Sequence, residues 1–288
     1  MEYLIHLAIL FSIYAMLGLS LNLVVGYTGL LSVAEAAFYG IGAYVTALLL
    51  VSSGWNFFLA LLVAVLAAGI VALVIGLVLS KFDGDYYALA SLGLGVIVYS
   101  VFLNWQNVTG GPLGIPGIPR PALFGFTFSD NLSFLILSLV FLGLVYLVSR
   151  FVVNSSFGRV LKTIREDEKA VQVFGYRTLD YKLLIFIVSA MIAAVAGSFY
   201  ASYITYIDPT TFTVESSIFI IAIVILGGLA SLRGSIIGAA FLVLLPEFLR
   251  FVGFPDEIAA QMRQAVYGLL LILLMLYRPQ GLVGEYKL

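Results

Sequence analysis

An all-α integral membrane protein is the fold class that the sequence predicts: a polytopic helical bundle of about eight to ten transmembrane or re-entrant helices, with a candidate internal repeat. Three observations carry this. The 288-residue chain is 62% hydrophobic, with a mean hydropathy of +1.14. Only 10% of its residues are charged, against roughly 25% in a soluble domain. Its apolar runs are apolar on every face, whereas the strands of a membrane barrel would alternate.

The same composition excludes several functions. Lys and Arg total 14 against 15 Asp and Glu, a net charge of -1, so the chain lacks the basic field that DNA or RNA binding requires. It contains no cysteine, hence no disulfide, thiolate nucleophile or Cys-ligated metal. With His6 as the one histidine, His-based metal clusters and Ser-His or Cys-His catalysis are nearly excluded. Neither H-E-x-x-H nor a nucleophile motif is present, which disfavours an intramembrane enzyme.

In chain order, helical spans are expected near 3–25, 34–52, 57–80, 86–104, 132–149, 184–205, 215–232, 235–249 and 264–278. They are helices because a helix satisfies its own amides in lipid and an open strand does not. The N-terminus passes directly into apolar sequence without a basic region or small-residue cleavage site, and is read as a retained first span. Trp55 and Trp105 fall at span ends, where amphipathic rings favour the membrane interface.

Orientation follows from the basic residues. Seven of the 14 lie between Arg150 and Lys182, which makes that loop cytoplasmic. Alternation then places Lys81, Arg233, Arg278 and Lys287 inside and Arg120, Arg250 and Arg263 outside. The C-terminus is expected inside and loop 105–131 outside; the N-terminus is outside if the first two segments both cross, and inside if the second is re-entrant.

The chain reads as one transmembrane domain, 1–288, with two long loops. The external one concentrates Gly110, Gly111, Gly114 and Gly117 with Pro112, Pro116, Pro119 and Pro121, predicting an ordered turn array around Thr109–Pro112 and not a helix. In the cytoplasmic one, a helix over 157–174 sets Val160, Leu161, Ile164, Val171 and Phe174 on one face and Arg159, Lys162, Glu166 and Asp167 on the other, with Gly175 as its stop. Such a helix can lie on lipid or dock into a groove on a soluble partner; the adjacent Glu166, Asp167 and Glu168 would be repelled by anionic headgroups.

Two interruptions stand out. Residues 29–32 read Gly-Leu-Leu-Ser and residues 228–231 read Gly-Leu-Ala-Ser, followed by Gly42-Ala43 and Gly238-Ala239 respectively. Matched breaks point to an internal repeat and a translocation site, or to small residues that permit close helix packing. Glu35, just behind the first break, is either a pathway carboxylate or an interfacial one.

Four blocks carry a family resemblance: SLNLVVGYTGLLSVAEAAFYGIGAY at 20–44, GDYYALASLGLGVIVYSVFLNWQNVTGGPLGIPGIP at 84–119, GRVLKTIREDEKAVQVFGY at 158–176 and ILGGLASLRGSIIGAAFLVLLPE at 225–247. The chain resembles, over nearly its whole length, the LivM-like inner-membrane permease subunits of bacterial branched-chain amino acid ABC importers. They belong to a wider family that also serves ribose, galactose and urea importers. Members often carry His or Gln where Glu35 stands, so a sugar, urea or amide cargo is the alternative within the family. A self-contained secondary transporter also fits the composition.

The resemblance implies a second, similar permease subunit, two cytoplasmic ABC ATPase subunits that hold ATP and magnesium, and an extracytoplasmic substrate-binding protein, all at the bacterial or archaeal inner membrane. No cofactor is expected on this chain. The 157–174 helix then becomes the coupling helix, with Arg159, Ile164, Arg165, Glu166, Asp167, Val171, Phe174 and Gly175 at the ATPase contact. Tyr27, Thr28, Glu35, Tyr86, Tyr87 and Asn104 are the expected pathway residues, the alternative for Tyr86 and Tyr87 being interfacial anchoring.

Overall fold

The apolar runs fold as helices whose small residues let them cross closely. A computed structural model describes residues 2–123, 126–251, 268, 269, 272 and 280–283. In order come α1 (Glu2–Thr28), α2 (Glu35–Ser53), α3 (Phe57–Leu79), α4 (Asp85–Asn104), a one-turn α5 (Gln106–Thr109), α6 (Asn131–Asn154), the short α7 (Ser156–Glu166) and α8 (Glu168–Val173), α9 (Thr178–Ile204), α10 (Val214–Gly227) and α11 (Leu232–Phe251). Six of these are long and apolar enough to cross a membrane; α10 and α11 pass the same test together, bent by 120° at their break. The expected span at 264–278 lies largely outside the described residues.

The core is built on α1, α2 and α9, which are the most buried spans. Gly42 of α2 faces the backbone of Ala194, and Gly197 of α9 faces Tyr39 and Ala43 so closely that a Cβ on it would lie 2.0 Å from the Tyr39 carbonyl oxygen. This is the small-residue packing that substitutes for a hydrophobic driving force between helices in lipid. The crossing is pinned by the Thr46 hydroxyl, which donates to Ser198 Oγ at 2.7 Å, while Ser198 in turn donates to Ala194 O.

Ring and hydrogen-bond contacts fix which ends lie together. His6 near the start of α1 stacks on Tyr203 near the end of α9. At the other end of α1, Arg165 of α7 donates to the Gly26 carbonyl. Helix α11 lies along α1, with Ser235 beside Gly18 and Tyr3 donating to Glu247 at the far end. Helices α1 and α11 therefore run in opposite senses. Residues 282 and 283 return to the end of α10, where Leu282 N donates to Leu226 O and Val283 N to Gly227 O.

Two expectations change. The single helix expected over 157–174 is two, because Asp167 leaves helical geometry (φ -154°) and its carboxylate accepts from Ala170 N at 3.0 Å, capping a new start. The Gly/Pro-rich loop, expected to hold no helix, contains helical turns as well as the expected bends: α5, a 3-10 turn at Gly111–Leu113, and the short strands β1 (Ile115–Pro116), β2 (Ala122–Leu123) and β3 (Phe126–Thr127). Strand β2 pairs with β3, and β1 pairs with β4 (Tyr206–Ile207) beyond α9.

The α2–α9 crossing generates a test. Gly197→Val forces two backbones apart and is expected to cost about 1–3 kcal/mol, read as a lower thermal-unfolding midpoint in detergent. An unchanged midpoint would show that the crossing tolerates separation.

Candidate functional site

The chemistry-bearing residues gather where the helices are interrupted. At the first interruption α1 ends at Thr28, Gly29 takes a left-handed conformation (φ 74°) and α2 begins at Glu35. Lipid cannot satisfy the backbone groups exposed by such a break, so side chains must. Thr28 Oγ1 accepts from Leu30 N, Ser91 Oγ of α4 accepts from Val33 N at 3.0 Å, and Ser217 Oγ of α10 accepts from Ala36 N at 3.0 Å. The start of α2 is thus stitched to three other elements.

Glu35 is 3% exposed and sits in the first turn of α2, where the helix dipole favours a carboxylate. Ser20 Oγ lies 2.5 Å from Glu35 Oε1 and 2.5 Å from the Ser189 carbonyl, so its one proton serves either. Ser189 Oγ donates back to Ser20 O at 2.8 Å. Tyr87, also buried, lies within electrostatic reach of Glu35. This is a protein-enclosed carboxylate with serine partners and not an interfacial spacer exposed to water.

The second interruption abuts the first. Gly228 (φ 112°) and Ala230 (φ 59°) carry the turn between α10 and α11, and a Cβ on Gly26 would lie 2.6 Å from Ala230 N. Asn22 ties α1 to this second interruption. Its Oδ1 accepts from Ala230 N at 3.0 Å, and its Nδ2 donates to Ser231 O at 2.9 Å and Ser235 Oγ at 2.7 Å. Sequence reasoning passed over Asn22, although an amide in the middle of an apolar span is itself the signal, since hydrocarbon offers it no partner.

The expected pathway residues divide into two groups. Tyr27, Thr28, Glu35 and Tyr87 are buried around the first interruption, whereas Tyr86 (72% exposed) and Asn104 stand on the outer face of α4. Among the described residues no cavity joins the two groups. A small cavity near the end of α1 is lined by Leu30, Gly76, Ser80, Tyr87, Lys182 and Phe186 among others, with Lys182 paired to Glu168.

The expected coupling segment also divides. Leu161 (1% exposed), Ile164 (3%) and Val171 (3%) are buried against the chain's own body, where α7 packs on α1, α6 and α9. The apolar face predicted to dock elsewhere is therefore occupied from within. Arg165 donates to Gly26 O, and Lys162 stands over the Tyr27 ring at 5.6 Å. Arg159, Glu166 and Asp167 remain exposed. Beyond α8 the chain turns at Gly175 (φ 86°), and Val173 and Phe174 are 86% and 81% exposed.

In the external loop, Thr109 is buried and donates to Phe102 O, and its Oγ1 accepts from Gly111 N. Gly114 lies so close to Ile207 that a Cβ would meet its carbonyl oxygen at 2.0 Å. Pro112 is exposed beside Leu113. Arg120 ties the loop to α6 through Asn131 Oδ1 at 2.9 Å. Among the described residues no group of three His, Cys, Asp or Glu side chains could hold a metal ion.

Interrupted membrane helices with enclosed polar groups suit a transport subunit, and comparison with known proteins decides the kind. Residues 3–275 match the family described as branched-chain amino acid transport system / permease component. The chain belongs to this permease family. It is a multi-pass membrane component of a transport system and not an enzyme. The high-affinity branched-chain amino acid transport permease LivM of Escherichia coli K12 is 37% identical over 97% of this chain and 69% of that protein. A probable LivM permease of Methanocaldococcus jannaschii is 27% identical over 96% and 91%, and LivH of Escherichia coli K12 is 27% identical over 95% and 92%. No solved structure matches the permease.

Asn22 gives this site its test. Asn22→Ala orphans Ala230 N inside the membrane and should cost about 1–3 kcal/mol, measured as reduced thermal stability in detergent. Asn22→Asp keeps the acceptor but loses the donor to Ser231, so it too should be destabilised; wild-type stability in both would remove Asn22 as the joint.

Proposed function

We propose that the permease is the membrane-spanning subunit of an ATP-driven importer for branched-chain amino acids in the inner membrane. Family membership over nearly the whole chain carries the reading. The sequence holds no G-x-x-x-x-G-K-[ST] loop, indeed no Gly-Lys pair, so nothing in it cradles ATP phosphates in that manner. Energy then comes from two cytoplasmic ABC ATPase subunits that carry ATP and magnesium, and substrate from an external binding protein. The likeness to both LivM and LivH supports pairing with a second permease.

The outer face of α4 is the place for that pairing and for the path beside it. Helix α3 exposes only Leu, Ile and Val, which suits lipid. Helix α4 exposes Ser100 and Asn104, and a groove on it is lined by Val96, Ile97, Ser100, Val101, Asn104 and Trp105. Polar groups at membrane depth belong against protein or a water-filled path and not against hydrocarbon. An apolar zwitterion crosses best between weakly polar walls, which hold it loosely enough to release it. Glu35 would then act from inside, through the position of α2, and not as a wall of that path.

The seven basic residues from Arg150 to Lys182 support a cytoplasmic position for α7 and α8, with the C-terminus on the same side. There the ATPase grips the exposed Val173–Phe174 tip while Arg159, Glu166 and Asp167 set its register. Movement passes through Arg165 into the end of α1, and the permease pair alternates its access.

Two measurements test this. In the reconstituted complex, Phe174→Asp should leave insertion and stability normal but cut substrate-stimulated ATP hydrolysis at least tenfold or so, as expected for an unpaired charge placed in an apolar contact. Ile164→Asp, by contrast, should destabilise the permease itself. Full coupling in Phe174→Asp refutes the contact. Cysteine at Asn107 in this cysteine-free chain should react with a membrane-impermeant thiol reagent from outside only; labelling solely from the cytoplasmic face would reverse the whole topology.

A further inference from the structure

The segment between α9 and α10 joins three things that the sequence treats separately: the external loop, a ring cluster inside the bundle, and α4. It begins at Thr205, a non-glycine residue held at φ 62°, a conformation that costs free energy in an L-residue with a branched side chain. Its next residues belong to the external loop. Strand β4 pairs with β1 in the register Ile115 to Ile207 and Pro116 to Tyr206, Ile118 N donates to Thr205 O at 3.1 Å, and Tyr206 OH donates to Leu113 O at 3.2 Å.

A 3-10 turn, Pro209–Phe212, follows. Asp208 Oδ1 sets it by accepting from Thr211 N at 3.1 Å and Thr211 Oγ1 at 2.9 Å. The turn delivers Phe212, 2% exposed, into the bundle. There its ring lies 5.0 Å from Tyr39, 5.7 Å from Tyr44, 6.1 Å from Phe102 and 6.4 Å from Tyr200. Phe102 belongs to α4 and stacks on Tyr44 of α2 at 4.5 Å.

The outer half of α4 is held by the Thr109 hydroxyl, which donates to Phe102 O at 2.6 Å, and by the rings around Phe102. Only 17% of its most apolar window is buried, against 56% to 67% for α1, α2 and α9. Its inner half is fixed by the Ser91 bond to Val33 N. The Phe102 end rests on the rings around Phe212. Among the described residues, neither the Tyr39 nor the Tyr44 hydroxyl finds a protein partner, although both residues are 2% exposed.

We propose that residues 205–212 are a latch through which the external loop controls the outer half of α4, with Phe212 as its positioning residue. Docking of the binding protein on the exposed Pro112–Leu113 region pulls β1, β1 carries β4, and Phe212 withdraws from between α2 and α4. Helix α4 then swings at its outer end and opens the path on its face. The latch rests on the importer reading, and it adds that a signal enters from outside by a defined mechanical route.

The test uses the complete reconstituted complex, with ATP hydrolysis measured with and without leucine-loaded binding protein, and leucine uptake measured in parallel. Phe212→Ala should raise hydrolysis in the absence of binding protein several-fold, so that the stimulation ratio falls towards one, and Phe212→Tyr should restore the ratio. A side chain with only a packing role would lower both rates together and leave the ratio unchanged. A second test replaces the ring by a cross-link and compares one protein in two redox states: a Cβ on Gly40 would lie 3.0 Å from Phe212 Cγ and 2.5 Å from the Phe102 ring, so Gly40→Cys with Phe212→Cys places two thiols within disulfide reach once Phe102 shifts slightly. Oxidation should stop uptake and reduction should restore it in the same preparation. Uptake by the oxidised pair at the reduced rate, or an unchanged stimulation ratio in Phe212→Ala, overturns the latch. Absence of ATP-driven uptake in the wild-type complex would instead overturn the importer reading.

Discussion

Hydrocarbon offers no hydrogen bond, and the architecture of this permease follows from how each interrupted helix finds partners without water. The chain breaks its helices twice at places where the backbone must then be satisfied by side chains. Asn22, Ser91, Ser217 and Thr28 do this with short, direct bonds to backbone amides. Arg165 does the same for a carbonyl near the end of α1. Apart from Thr28, whose bond is local, each reaches from one element to another, so satisfying the breaks also fixes how the helices sit against one another. A polar side chain here is an assembly instruction, and its loss would leave both a bare amide and a loosened neighbour.

This constraint explains which parts of the molecule were legible in the sequence. Span positions were, because continuous apolar runs have one stable form in lipid; the observed α2, α3 and α4 depart from the expected limits by a residue at most. The matched Gly-Leu-Leu-Ser and Gly-Leu-Ala-Ser segments were legible as breaks because both open on a glycine that takes a left-handed conformation. Periodicity alone could not show which apolar face is used internally. Ile164 and Phe174 share a pattern, yet the first is enclosed and the second stands free, because Asp167 caps a new helix between them and changes the direction of the chain. Asn22 was hidden for another reason: its three bonds reach residues more than two hundred positions away, and no local spacing encodes that.

The same logic makes the two ends of the permease unlike. At the end bearing α7, charged side chains reach inward to the backbone: Arg165 to Gly26, and Lys162 over Tyr27. At the end bearing the Gly/Pro loop, contact is made through backbone pairing and rings, from β1 and β4 to Phe212. Charge-assisted bonds are short and directional, whereas ring pairs hold by edge-to-face and offset-stacked packing.

The return of residues 282 and 283 to the end of α10 bears on how the chain is made. Leu226 and Gly227 are emitted from the ribosome more than fifty residues before the amides that bond to their carbonyls. Gly281 fits there with its backbone against Gly228, with no space for a side chain between them. Without that segment the Leu226 and Gly227 carbonyls would lose these two bonds. The second break is accordingly closed by amides that lie more than fifty residues later in the chain.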